Sequence, residues 1–96
     1  MDQDQFHRIS KALADPRRFE MLERIASHNE MACATLAEEC PVSQPTLSHH
    51  LKELANAGLL NVRRDAKYMF YQLRRRVWAE YLAEMRRRVP SAPPRT

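Results

Sequence analysis

The sequence predicts a mainly α-helical domain of about five helices carrying a small β-hairpin, and three observations predict it. Residues Thr35 to Leu60 read as a short helix, a tight turn and a longer helix, with a start or stop signal at each boundary. Tyr68 to Tyr71 form a period-two aromatic run just after a basic turn. One glycine in 96 residues and 44% hydrophobic content indicate a folded, helix-rich chain rather than a disordered one.

Phe6, Ile9 and Leu13 recur at i, i+3, i+7 and predict a first amphipathic helix over about Asp4 to Ala14. Asp15 is the N-cap and Pro16 the first residue of the next helix, where proline's missing N–H costs little. Phe19, Leu22, Ile25 and Ala26 face inward along it to about Ser27, and His28-Asn29 ends it. His7 and His28 read as exposed helix-end polarity. Met31 to Ala34 is short and apolar, an isolated β-bridge at most. Thr35 with Glu38 three residues on forms a capping box that starts the third helix. Pro41 stops it, because the residue before a proline is pushed out of the α region.

Ser43 caps the fourth helix, Gln44 to about Ala57, with Pro45 in its first turn. Leu47, Leu51 and Leu54 form its apolar stripe, and Gly58 sits where a left-handed residue closes a helix. Leu59–Arg64 and Lys67–Leu73 read as two strands around an Asp65-Ala66 turn. A last helix, about Arg75 to Val89, carries Trp78, Tyr81, Leu82, Met85 and Val89 on one side. Pro90 stops it, giving a domain over residues 1–89 and a disordered tail over 90–96.

Charge is unevenly spread. Residues 1–60 hold six Lys/Arg against nine Asp/Glu, residues 61–96 ten against three, for a net charge of +4. A basic C-terminal half points to a polyanion, either nucleic acid or an anionic membrane. No apolar run approaches the roughly 20 residues that span a bilayer, and MDQDQ is unlike a signal peptide, so a cytoplasmic chain is expected. With the leucine stripe inward, rotation of about 100° per residue turns Pro45, Ser48, His49, Lys52 and Asn56 outward. These side chains, with Gln44 and Thr46, are polar and nearly free of negative charge, which suits a DNA groove.

The run SQPTLSHHLKELANAGLL resembles the recognition helix of the ArsR family of bacterial winged helix-turn-helix repressors. ALADPRR at Ala12–Arg18 and the basic hairpin RRDAKYMFYQL resemble that family's second-helix entry and its two- or three-stranded wing. The similarity covers roughly residues 5 to 89, and its three motifs stand in the family's order. It implies a sequence-specific regulator of double-stranded DNA, a repressor acting as a homodimer on an imperfect palindrome. Gln44, Ser48 and His49 are the candidates for base edges; Ser43, Thr46, Lys52, Arg63, Arg64 and Lys67 are the candidates for phosphates. The apolar surface of the last helix exceeds what the wing can cover, so Phe6, Ile9, Leu13, Trp78, Tyr81, Leu82 and Met85 form the expected dimer interface. The resemblance implies the same pairing of first and last helices.

No metal or other cofactor is expected. Metal-sensing members commonly carry Cys-x-Cys before the first helix of the motif; here only Cys33 stands in that segment, and the last helix has no histidine. On one continuous helix Cys33 and Cys40 would lie about 10 Å apart along the axis, beyond disulfide reach. Two reduced cysteines are expected, with a thiol- or metalloid-responsive repressor using Cys33 and Cys40 as the alternative. Remoter alternatives are a membrane-surface protein anchored by Arg74–Val89, opposed by Glu80 and Glu84, and a protein-interaction module without DNA contact. An enzyme is not expected: His49 and His50 diverge by about 100°, and no carboxylate–His or Cys–His constellation is evident. The inducing signal and the operator are not written in the sequence.

Overall fold

The computed structural model describes residues 1–95. Helix α1 (Gln3–Leu13) is capped by Asp2, whose carboxylate accepts from the Gln5 N–H at 2.8 Å. Helix α2 (Pro16–Ala26) starts as expected, with Asp15 accepting from the N–H groups of Arg17 and Arg18 at 2.9 and 3.1 Å. Its inward residues are Met21, Leu22 and Ile25. Phe19, expected inside, is 38% exposed. The centre of the Met21–Leu22–Ile25 arc lies about 110° around the helix from it.

The segment after α2 departs most from expectation. Met31–Ala32 is a true strand, β1, and helix α3 (Cys33–Glu39) begins directly from it. Ala32 is the N-cap and makes no side-chain bond, so the expected Thr35–Glu38 capping box is not formed. Sheet pairing holds the chain extended through Ala32, and the helix starts where that pairing ends, two residues before Thr35. Cys40 is the extended C-cap, its N–H donating to the Leu36 carbonyl at 2.8 Å before Pro41 turns the chain.

Helix α4 (Gln44–Asn56) follows local rules throughout. The Ser43 hydroxyl accepts from the Thr46 N–H and donates to the Thr46 hydroxyl at 2.9 Å. Leu47, Leu51 and Leu54 are buried. At the far end Gly58 has φ +87°; its N–H donates to the Ala55 carbonyl while the Leu59 N–H reaches Leu54, the paired bonds of a Schellman motif. A Cβ at Gly58 would stand 2.7 Å from the Gln5 side-chain nitrogen as well as forcing that φ on an L-residue. Gly58→Ala should therefore lower unfolding free energy by about 1–2 kcal/mol, read from the urea midpoint; an unchanged midpoint would contradict the left-handed closure.

Strands β2 (Leu60–Asp65) and β3 (Tyr68–Leu73) make the hairpin, and β1 adds to its other edge, giving the antiparallel order β1-β3-β2. Asp65 pairs with Tyr68, so the loop is Ala66-Lys67 rather than Asp65-Ala66, with Ala66 at φ +54°. Helix α5 (Arg75–Arg88) buries Val77 and Tyr81. The Tyr81 hydroxyl shares a 2.8 Å hydrogen bond with Ser10 on α1. Arg88 lies 4.0 Å over the Phe6 ring and donates to the Gln3 side-chain amide oxygen at 2.7 Å. Hydrogen bonds from Arg87 and Arg88 push the Glu84 carboxyl down to about 2. Residues 90–95 form no helix or strand; Thr96, the end of the expected tail, lies outside the described residues.

One core joins all five helices to the sheet. Ile9, Met21, Ile25, Leu36, Leu47, Leu51, Leu54 and Leu59 are its sealed centre. It leaves the outer side of α4 free.

Candidate nucleic-acid interface

The site is the outer side of α4 together with the hairpin beside it. Gln44, Pro45, Ser48, His49, Lys52 and Asn56 are all exposed, with no carboxylate among them. Ser43 is exposed and Thr46 half-buried, and their hydroxyls are already bonded to each other. That bond fixes the first turn, where N–H groups left free by the helix point outward. Arg64 and Lys67 are exposed near the hairpin tip; Arg64 rests on the Met69 sulfur at 3.3 Å, and Lys67 lies 5.6 Å from the Tyr68 ring centre.

Arg63 does something different from the phosphate contact expected of it. Its guanidinium makes a two-pronged bond to Glu30, at 2.7 and 3.0 Å, and sits 4.3 Å over the Phe70 ring. Glu30 precedes β1, Arg63 is on β2 and Phe70 is its partner on β3, so the stack crosses the whole sheet. Arg63 braces the hairpin through this pair, while Arg64 and Lys67 stand exposed near its tip.

The expected dimer seam is narrower than its sequence stripe. Phe6, Ile9 and Tyr81 belong to the subunit's own core, because α1 and α5 of the same chain pack on each other through them. Leu13 and Trp78 are half-buried against that core. Leu82 and Met85, at 37% and 44% exposure, stand outward with Val89.

Sequence reasoning passed over two residues that the fold brings to the back of α4. His50 is the one buried polar side chain on α4 among the described residues, at 7% exposure, and its Nδ1 accepts from Arg18 Nε at 3.4 Å. Arg18 also donates to the Ala12 carbonyl at 3.3 Å, so one guanidinium touches α1, α2 and α4. Burial pushes the His50 imidazole below its ordinary range; Asp15 opposes this, while Arg18, His49 and Arg17 add to it. The backbone N–H groups of Arg18 and Arg17 in turn hold the Asp15 carboxyl low. One signal was present in the sequence. Arg17 and Arg18 put two cations in the first turn of a helix, where the dipole disfavours them.

The cysteines lie at opposite ends of α3, Cys33 half-buried and Cys40 buried, and both are free. Burial raises the Cys40 thiol above its ordinary value, which keeps it protonated. Among the described residues no three His, Cys, Asp or Glu side chains converge to hold a metal ion. No helix among them is long and apolar enough to cross a membrane.

A capped polar helix seated after a tight turn and flanked by a basic hairpin defines a winged helix-turn-helix, a class that reads duplex DNA. The family described as a helix-turn-helix domain matches residues 13–63. An uncharacterized HTH-type transcriptional regulator of Methanocaldococcus jannaschii is 35% identical over 65 residues, 68% of this chain and 73% of that one. The arsenical resistance operon repressor of Staphylococcus xylosus is 42% identical over 65 residues, 68% of this chain and 62% of that one. Among solved structures, NolR from Sinorhizobium fredii superposes with a TM-score of 0.69 at 28% identity, covering 93% of this chain and 88% of that one. The homodimeric winged helix-turn-helix DNA-binding domain of a possible ArsR-family regulator from Mycobacterium bovis gives 0.70 at 26%, covering 97% and 89%. The chain belongs to the ArsR family of winged helix-turn-helix transcriptional regulators, which are DNA-binding proteins and not enzymes.

Proposed function

We infer that this chain is a sequence-specific repressor, working in the cytoplasm as a two-fold homodimer on an imperfect palindrome. The observation that carries the reading is the outer side of α4, exposed at Gln44, Pro45, Ser48, His49, Lys52 and Asn56 with the half-buried Glu53 as its one carboxylate, over a back of buried leucines. Two copies related by a dyad would set two such helices in successive major grooves, about 34 Å apart. The exposed Leu82 and Met85 supply the seam, and the homodimeric state of the M. bovis neighbour supports it. Gln44, Ser48 and His49 read base edges; Ser43, Thr46, Lys52, Arg64 and Lys67 hold phosphates. No observation favours a thiol-responsive mechanism, since Cys40 is buried and held as a thiol.

Selection of bound duplexes from a random library tests the reading, with enrichment of a two-fold motif as the expected result. No enrichment would end it. Gln44→Ala should then cost about 1–3 kcal/mol at one base pair of each half-site and relax preference there. Lys52→Ala should instead weaken binding to all duplexes and reduce the salt slope by about one. A Gln44→Ala protein with unchanged base preference would remove Gln44 from the reading set.

A further inference from the structure

Among the described residues, the one buried polar side chain on α4, His50, meets a charged side chain from another helix, Arg18. The bond runs from Nε–H to Nδ1, so His50 must be neutral with its proton on Nε2. At 3.4 Å it is long, but the same guanidinium is anchored by the Ala12 carbonyl, and its helix start is fixed by Asp15. The groups facing the imidazole are Asp15, Arg17 and Arg18 from the start of α2 and His49 from α4. From α1 the Ala12 carbonyl holds Arg18, and Lys11, Arg8, His7 and Asp4 line the same cavity as Arg18, His49 and Glu53.

Protonation of His50 replaces the acceptor with a second donor and sets an imidazolium against a guanidinium. Asp15, whose Oδ1 accepts from two backbone N–H groups at the α2 cap, offsets part of that repulsion. Because the guanidinium is also held by the Ala12 carbonyl and its backbone by the α2 cap, part of the relief falls on α4, which moves away from α2. His49, the next residue, is among the proposed base readers, and displacement on the ångström scale is enough to lose a base contact whose hydrogen bonds tolerate only a few tenths of an ångström.

We propose that Arg18 is a positioning residue for the recognition helix, setting its seat against α2 through neutral His50, so that operator discrimination falls when His50 gains a proton. This rests on the DNA-reading function inferred above. The expected sign sets it apart from simple charge. Added positive charge on the DNA-facing side would tighten selected and scrambled duplexes alike. Loss of the α4 seat lowers the ratio of the two affinities instead.

The test uses the full chain, the selected duplex and a scrambled duplex of equal composition, with affinities measured by fluorescence anisotropy. Between about pH 8 and about pH 5 the selected-to-scrambled ratio should fall severalfold, while far-ultraviolet circular dichroism stays unchanged. His50→Asn places an oxygen acceptor near the Nδ1 position and cannot titrate; its ratio should stay within about twofold over the same range. Arg18→Gln at about pH 8 should lower the ratio about tenfold, with no further loss when combined with His50→Ala. Wild-type pH dependence in His50→Asn would overturn the proposal. So would an Arg18→Gln protein that loses selected and scrambled duplex equally, as a plain phosphate contact does. Failure to enrich any duplex removes the DNA-reading function itself, whereas enrichment with flat ratios removes only the Arg18–His50 proposal.

Discussion

Leu54→Ala should lower the unfolding free energy by about 2–5 kcal/mol. Leu54 is 0% exposed and sits in the sealed centre with Ile25, Leu36 and Leu51, where removed methyl groups leave a void that neighbours only partly fill. A domain of this length is stable by about 5–15 kcal/mol, so one such change takes up much of its margin. A urea titration followed by circular dichroism checks it, with the midpoint falling and the slope unchanged. A loss below about 1 kcal/mol would mean that the back of α4 is loosely packed, contrary to its burial.

Met85→Glu should separate the two copies while leaving each one folded. Met85 is 44% exposed on the subunit, so a carboxylate there meets water in the single chain. In a dyad interface it appears twice and must be stripped of water without a partner. The expected cost to dimerisation is about 3–5 kcal/mol, more than a hundredfold in the dissociation constant. Sedimentation equilibrium should then report the 11.3 kDa single chain, with an unchanged circular dichroism spectrum. Affinity for the selected palindrome should fall with it, because two half-sites held together bind far more tightly than one alone. A variant that stays at double mass would place the seam elsewhere.

The sequence disclosed what is decided locally and missed what is decided by remote partners. The cap at Ser43, the leucine stripe of α4 and the Gly58 closure each depend on residues within about two helical turns of one another. The start of α3 depends on Met31 pairing with Tyr71, and an apolar dipeptide carries no mark of a strand until that partner is in place. Arg63 read as a free cation in a basic turn, yet its carboxylate stands 33 residues earlier at Glu30. Arg18 and His50 are separated by 32 residues, so neither could be assigned to the other. The dimer stripe failed by degree: periodicity located the apolar side of α1 and α5, but not which part of it the same chain would cover.

The placement of β3 constrains how any signal could loosen the protein's grip on its target. Chain entering the two-helix reader through β1 and chain leaving it through β2 both hydrogen-bond to this one strand, on opposite sides. The reader is thus a closed loop latched at its base, and spreading its helices would break the latch as well as the packing. Relief of repression is cheaper as a movement of this latched unit as a whole than as a separation of α3 from α4. An effector would be expected to leave α3 and α4 together and alter how the latched unit is presented to its target.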